Sequence, residues 1–393
     1  MTRLVNSWNE WDPLKRVLVG RPEGTNLPAP EPAWQHDMPD GGYPLPAYGP
    51  FPADMVDGAN EQMQYFVEQL EKRGVEVERI EVQPFMFNEP VLSPLGWTQL
   101  NAYGVNNLRD VTLIHGRYIV EATTCRRSRV YERFNLRSVF ERYFEEDPEV
   151  VHFSAPFPML TGESYVPNYS YDFEHVWSDA DKRKKLYDWE FQLTEKEPLW
   201  DAADAMRLGR DIVHQGSSAT NRAGFDWLKR MFAELGIRVH LAQFDTPADL
   251  THPDNYHPWH IDVDLVPLRP GLCMYNPDWA PRTPELWQLF EQNDWELVAA
   301  ARPTYVHDNS VALYALRGRS WISMNTLSLD PSTVFVEAHE TAYCEQLDKL
   351  GFEVIPIPYE KVIPFGGALH STTLDVYREG RCEDYFPRQI PGY

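Results

Sequence analysis

The chain has 393 residues, with 36 Lys and Arg against 59 Asp and Glu, a formal net charge of −23 at pH 7. That balance argues against a nucleic acid or an acidic lipid surface as partner, since each needs a basic face, and it suits a small cationic ligand. A hydrophobic share of 43% and an aromatic share of 13% exclude a disordered chain, and the apolar runs are strand-sized, too short for a membrane-spanning helix.

Length alone suggests two or three domains. Trp8, Trp11 and Val17–Val19 read as folded domain rather than as a signal peptide. The cysteines, at 125, 273, 344 and 382, form neither metal-ligand pairs nor a disulfide framework, so a reducing cytoplasm is the expected location.

In chain order, one unit recurs: an amphipathic helix, a tight turn and a short apolar strand. Met63, Phe66, Val67 and Leu70 predict a helix over 59–73, stopped by Gly74 and followed by a strand at 75–80. A second helix is predicted over 128–144 with Ser128 as its cap, then a strand at 151–153. The third covers 221–235, the fourth 283–292 behind Thr283-Pro284-Glu285, and the fifth 337–350; strands follow at 237–244, 295–299 and 352–358. Paired extended runs precede the later helices: 110–114 with 117–122, 204–208 with 211–214, 262–267 with 272–276, and 325–329 with 333–336. Five such ββαβ units turn the length prior into one α/β domain over 1–393. Two stretches, 22–55 and 165–198, read as long loops, either lids and contacts or surface decoration.

Four polar clusters sit at strand ends. Asn106-Asn107-Leu108-Arg109-Asp110 opens a hairpin, where Asp110 alone is as readily a turn former. Asp201-Ala202-Ala203-Asp204 brackets two small residues. In His260-Ile261-Asp262-Val263-Asp264, strand alternation puts His260, Asp262 and Asp264 on one face, making His260 a general acid–base candidate. His252 and His257 nearby raise the idea of a metal, but the Pro-rich segment lacks matched ligands. In Gly366-Gly367-Ala368-Leu369-His370-Ser371, the glycines allow a sharp turn or close approach. Adjacent strand residues face opposite ways, so His370 is badly placed to activate Ser371.

With Asn6-Ser7-Trp8-Asn9-Glu10-Trp11, Gly209-Arg210-Asp211, Asn276-Pro277-Asp278 and Trp321-Ile322-Ser323-Met324-Asn325, these motifs make the chain resemble the amidinotransferases. That family moves the amidino group of arginine to an amine; it includes glycine, inosamine-phosphate and cyanotoxin-pathway enzymes. The resemblance implies the pentein fold, a five-bladed α/β propeller with its site on the axis. It also implies L-arginine as donor, a small amine as acceptor, release of ornithine in a ping-pong reaction, a homodimer, and no metal or organic cofactor. Asp110 and Asp262 are similar to the carboxylates that grip the guanidinium, His260 to the acid–base and Asp201 to its orienting partner.

At the position of the family's nucleophilic cysteine stands Ser371. A hydroxyl ionises far less readily than a thiol, so an impaired copy is expected. Intact carboxylates and His260 favour an introduced change over natural loss. Trp279 stands where glycine-specific members carry an arginine for the donor carboxylate, leaving Arg282, Arg317 or Arg319 as substitutes. A same-fold guanidine hydrolase, or a binding protein for arginine-like cations, are the competing readings.

Overall fold

The computed structural model describes residues 3–29, 31–33, 48–83, 89–167, 181, 184, 188–243, 260–278, 283–305 and 320–393. The five expected helices form near where the apolar spacing puts them: α1 (Ala53–Glu71), α2 (Arg137–Glu146), α3 (Arg222–Glu234), α4 (Pro284–Gln292) and α5 (Thr341–Lys349). Each buries one stripe and leaves the opposite face to solvent; α1, for instance, buries Met63, Phe66, Val67 and Leu70. Asn221 caps α3, its side chain accepting from the Gly224 amide at 2.8 Å.

Three boundaries differ from the sequence reading, each for a local reason. α1 begins at Ala53, directly after Pro52, so the expected loop at 22–55 is shorter. α2 begins after residue 136 because Ser128 is not a cap. Its amide and hydroxyl donate to the buried Glu31 carboxylate, and Arg129 and Arg133 turn inward. α5 begins at Thr341 because Glu337 still closes a strand. The described part of the second expected loop is docked: Trp189 and Phe191 are buried, and Trp189 donates to Thr220 O at 2.9 Å.

Five three-stranded sheets share one connectivity. In the second, Thr112–His115 pairs antiparallel with Tyr118–Glu121, which pairs parallel with Val151–Ser154. The third joins Ala205–Leu208, Asp211–Gln215 and Arg238–Ala242 in the same way. The fourth joins Leu265–Arg269, Leu272–Tyr275 and Glu296–Ala299; the fifth joins Leu327–Asp330, Thr333–Glu337 and Glu353–Ile357. In every sheet a helix bridges the parallel pair, as a parallel connection requires. The first sheet is stitched from both ends of the chain. Leu14–Val19 pairs parallel with Glu76–Arg79, but its antiparallel partner is the C-terminal strand Thr373–Arg378.

Apolar residues tie each sheet to the next. Leu18 and Leu374 pack with Ile114 and Ile119; Leu113 and Val120 with Ile212 and Val239. Leu208 and Val213 pack with Leu265 and Cys273; Val266 and Met274 with Val334 and Val336. Finally Leu327, Phe335 and Ile355 of the fifth sheet pack with Val17 and Val19 of the first. Among the described residues no helix is long and apolar enough to cross a membrane.

Candidate functional site

Before the first strand of each sheet stands a short helical turn. These turns are Leu108–Asp110, Ala202–Asp204, Ile261–Val263, Ser320–Met324 and Ile363–Phe365. The first four touch one another in sequence, and the site is built from these turns and the residues beside them. This corrects the strand reading of 260–264. His260 is the extended residue that enters a turn, Asp262 lies within it, and the strand starts only at Leu265. Asp201 and His260 both occupy N-cap positions without making a side-chain cap bond, so both side chains are available to the site. Asp264 turns away and accepts from Asn276 Nδ2 at 3.1 Å.

Asp110, Asp201, His260, Asp262 and Ser371 come together. His260 Nε2 lies 3.5 Å from Asp201 Oδ2, and Nδ1 lies 3.7 Å from Asp110 Oδ1. Arg126 donates to Asp201 Oδ2 at 2.8 Å, and Arg129 to Asp110 Oδ2 at 2.5 Å. The remaining oxygens, Asp110 Oδ1, Asp201 Oδ1 and Asp204 Oδ1, are buried without a hydrogen-bond partner, as is His260 Nε2. Buried polar atoms are seldom left so. Acceptors of this kind around one histidine suit a planar donor such as a guanidinium.

Burial opposes the charged form of His260, but Asp110, Asp201 and Asp204 outweigh it and push its pKa up to about 9. His260 is therefore cationic at neutral pH. Burial also opposes ionisation of Asp201, yet the His260 contact and Arg126 hold it below its ordinary value. Asp204 goes the other way. Burial pushes it up to about 7, although Ser217 and Thr220 donate to its Oδ2 at 2.7 and 2.6 Å. Asp262 is lowered against the cost of burial, chiefly by its bond to His370.

Ser371 is 4% exposed. Its amide and that of His370 both donate to Asn325 Oδ1 at 3.0 Å. Its hydroxyl accepts from Asn325 Nδ2 at 3.0 Å and donates to Asp262 Oδ2 at 3.2 Å. Neither histidine is hydrogen-bonded to it. Residues 370 and 371 lie in a turn rather than a strand, so the opposite-faces argument does not apply; His370 instead bonds Asp262 Oδ2 through Nδ1 at 2.9 Å. The two glycines serve the fold of this turn. Gly366 has φ +96°, and a Cβ there would come within 1.8 Å of the Tyr103 hydroxyl; at Gly367 it would meet Ser371 Cβ at 2.5 Å and Asn107 Oδ1 at 2.6 Å.

Sequence reasoning missed Glu10, Arg126, Arg129 and Asn325 as site residues. The dense run Cys125-Arg126-Arg127-Ser128-Arg129 carried no clear signal, since the ordinary place of an arginine is the surface. Arg282 and Arg319, with Trp279 and Arg317, lie outside the described residues, as do His252 and His257. No cysteine substitutes for residue 371. Cys125 and Cys273 are buried and Cys382 is exposed. Burial pushes the Cys273 and Cys382 thiols up, and that of Cys344 to about 11. Among the described residues one group could hold a metal, Glu337, His339 and Glu360, with ligand atoms within 4.8 Å of one another. None of the three is hydrogen-bonded to the residues around His260.

No protein-family profile matches the chain. It is 32% identical over 389 residues to an L-arginine:L-lysine amidinotransferase of Pseudomonas savastanoi pv. phaseolicola, covering 98% of this chain and 97% of the relative. It is 32% identical over 393 residues to the mitochondrial glycine amidinotransferase of Xenopus laevis, covering 97% and 85%. Among solved structures, an amidinotransferase of the saxitoxin biosynthetic pathway from Microseira wollei superposes with a TM-score of 0.81 at 32% identity, covering 97% and 99%. An inosamine-phosphate amidinotransferase from Streptomyces griseus gives 0.79 at 27%, covering 98% and 100%. A DDAH from Pseudomonas aeruginosa, at 14% identity and a TM-score of 0.52, covers 92% and 98% and shares the fold.

Proposed function

The chain belongs to the amidinotransferase family, and we propose that its site binds the guanidinium of an arginine donor and is laid out to pass the amidino group to an amine. The observation that carries this reading is the set of buried, unsatisfied carboxylate oxygens of Asp110 and Asp201 around cationic His260, beside residue 371. In the same reading, the five sheets are the blades of one propeller domain.

The chemistry follows from the electrophile. A guanidinium is planar and resonance-stabilised, so its carbon accepts a nucleophile only when it is held in place. Asp110 and Asp262 hold the nitrogens. With a cysteine at residue 371, its thiolate would bond to the guanidino carbon, and His260 would give its proton to the leaving nitrogen as that C–N bond breaks, so that ornithine departs. The acceptor amine would then attack the amidino carbon. His260 would take the amine's proton, and the bond to residue 371 would break.

With Ser371 the first bond is the obstacle. The hydroxyl donates to Asp262, a carboxylate held below its ordinary pKa and so a weak base. The binding half of the reaction survives and the covalent half is blocked. That contact also favours the second reading, a protein that holds guanidines without turning them over.

The test is Ser371→Cys, supplied with guanidino-labelled L-arginine and a panel of amines that includes glycine and lysine, with products read by mass. Ornithine that appears only with an acceptor supports transfer. Citrulline points to hydrolysis. No product with any amine leaves the binding protein standing.

A further inference from the structure

His370 has no part in the chemistry above, yet beside residue 371 both nitrogens of its ring are bonded to carboxylates. We infer that His370 is a positioning residue, an imidazolium clamped between Asp262 and Glu10 that fixes the Asp262 carboxylate for an incoming guanidinium. The inference rests on Asp262 being one of the two carboxylates that grip that group.

Both ring nitrogens face carboxylate oxygens: Nδ1 lies 2.9 Å from Asp262 Oδ2, and Nε2 lies 3.2 Å from Glu10 Oε2. A neutral imidazole has one N–H and one lone pair. In this position it would aim the lone pair at a carboxylate. Only the doubly protonated ring donates both ways.

The Glu10 end of the clamp is not free to swing. Glu10 Oε1 accepts from the Arg207 amide at 3.1 Å and from Arg207 Nε at 2.7 Å. Glu10 Oε2 accepts from Arg207 Nη2 at 2.5 Å and lies 3.6 Å from Arg109 Nη1. Arg207 and Arg109 are themselves fixed on Asp375, at 2.6 and 2.7 Å, and Arg378 holds Asp375 from the C-terminal strand at 2.8 Å. The pivot of the ring is held as well, because Arg109 Nε donates to His370 O at 2.8 Å and His370 N donates to Asn325 Oδ1.

Each guanidinium-facing carboxylate thus has its own buried cation. For Asp110 it is Arg129, which is permanently charged. For Asp262 it is a histidine, whose grip depends on a proton. The groups that face His370 are Asp262 from the 261–263 turn, Glu10 from the N-terminal segment and Arg109 from the 108–110 turn, with Asp375 behind Arg109.

The first measurement uses the ligand-free protein. Selective ¹⁵N-histidine labelling at neutral pH should show both His370 nitrogens protonated, the signal being assigned by its loss in His370→Gln, or in His370→Asn if that variant alone folds. A single protonated nitrogen overturns the clamp. The second measurement is calorimetric titration with methylguanidine. His370→Gln should bind it roughly tenfold more weakly or worse, the size of one charge-assisted bond, and unchanged affinity overturns the positioning role. If methylguanidine fails to bind even the unaltered protein, the reading of Asp262 as a guanidinium carboxylate fails instead, and the ¹⁵N spectrum still decides the clamp.

Discussion

The site holds two histidines in opposite circumstances. His260 is 12% exposed at its side chain and lies at long contact from Asp201 and Asp110, 3.5 and 3.7 Å, with neighbouring oxygens unsatisfied. His370 is bonded at both ends and anchored through its backbone. The difference separates two jobs. A group that must give and take a proton needs a charged environment with slack in it, whereas a group that must hold a carboxylate still needs every bond made. Near neighbours in one site, the same residue type is left slack by loose partners and held still by tight ones.

The sharpest way to break that comparison is at residue 371. Placing a thiol at residue 371 with Ser371→Cys should raise ornithine formation by several orders of magnitude, measured with a saturating amine; no gain would mean that the His260 corner is not a working acid–base. In that cysteine form, His260→Ala should lower ornithine release by about 10²–10⁴-fold, the usual range for a general acid–base group. Rates that hardly change would move the role elsewhere.

Next comes the electrostatic support of His260. Its pKa is raised from 6.5 to about 9, so the stability it contributes is fully present below pH 6.5 and is lost as pH rises through about 9. Thermal melts of His260→Gln should lack that alkaline fall, and a fall of equal size in the variant would sink the assignment. Asp201→Asn should move the alkaline limb of the binding or rate profile to lower pH. Asp204→Asn should move it the same way by less, because Asp201 acts on His260 through its 3.5 Å contact as well as its charge, and Asp204 through its charge alone. A larger shift for Asp204 than for Asp201 would reverse their ranking.

Much of this arrangement was legible in the sequence. Periodicity is local, so the helix faces, the glycine stops and the hairpins could be read from a few residues at a time. The motif residues Asp110, Asp201, His260, Asp262 and Ser371 do meet. What escaped is what locality hides. The short helical turns that aim Asp110, Asp204 and Asp262 span three residues each, below any period. The antiparallel partner of Leu14–Val19 lies at the other end of the chain. Arg126, Arg129 and Glu10 are charged residues whose ordinary place is the surface, and their burial is explained by the counter-charges they meet: Asp201 for Arg126, Asp110 and Glu132 for Arg129, and Arg207 for Glu10.

The first sheet, with strands from both ends of the chain, has a consequence for how the protein is made. A chain emerging from the ribosome folds from its N-terminus as length permits, and the sequences of the second to fifth sheets are all available by residue 357. Residue 371 and the strand Thr373–Arg378 come later. Residue 371 therefore joins the site in the same event that completes the sheet of Leu14–Val19. A prematurely terminated chain could hold four sheets and every carboxylate of the His260 corner, and would still lack residue 371.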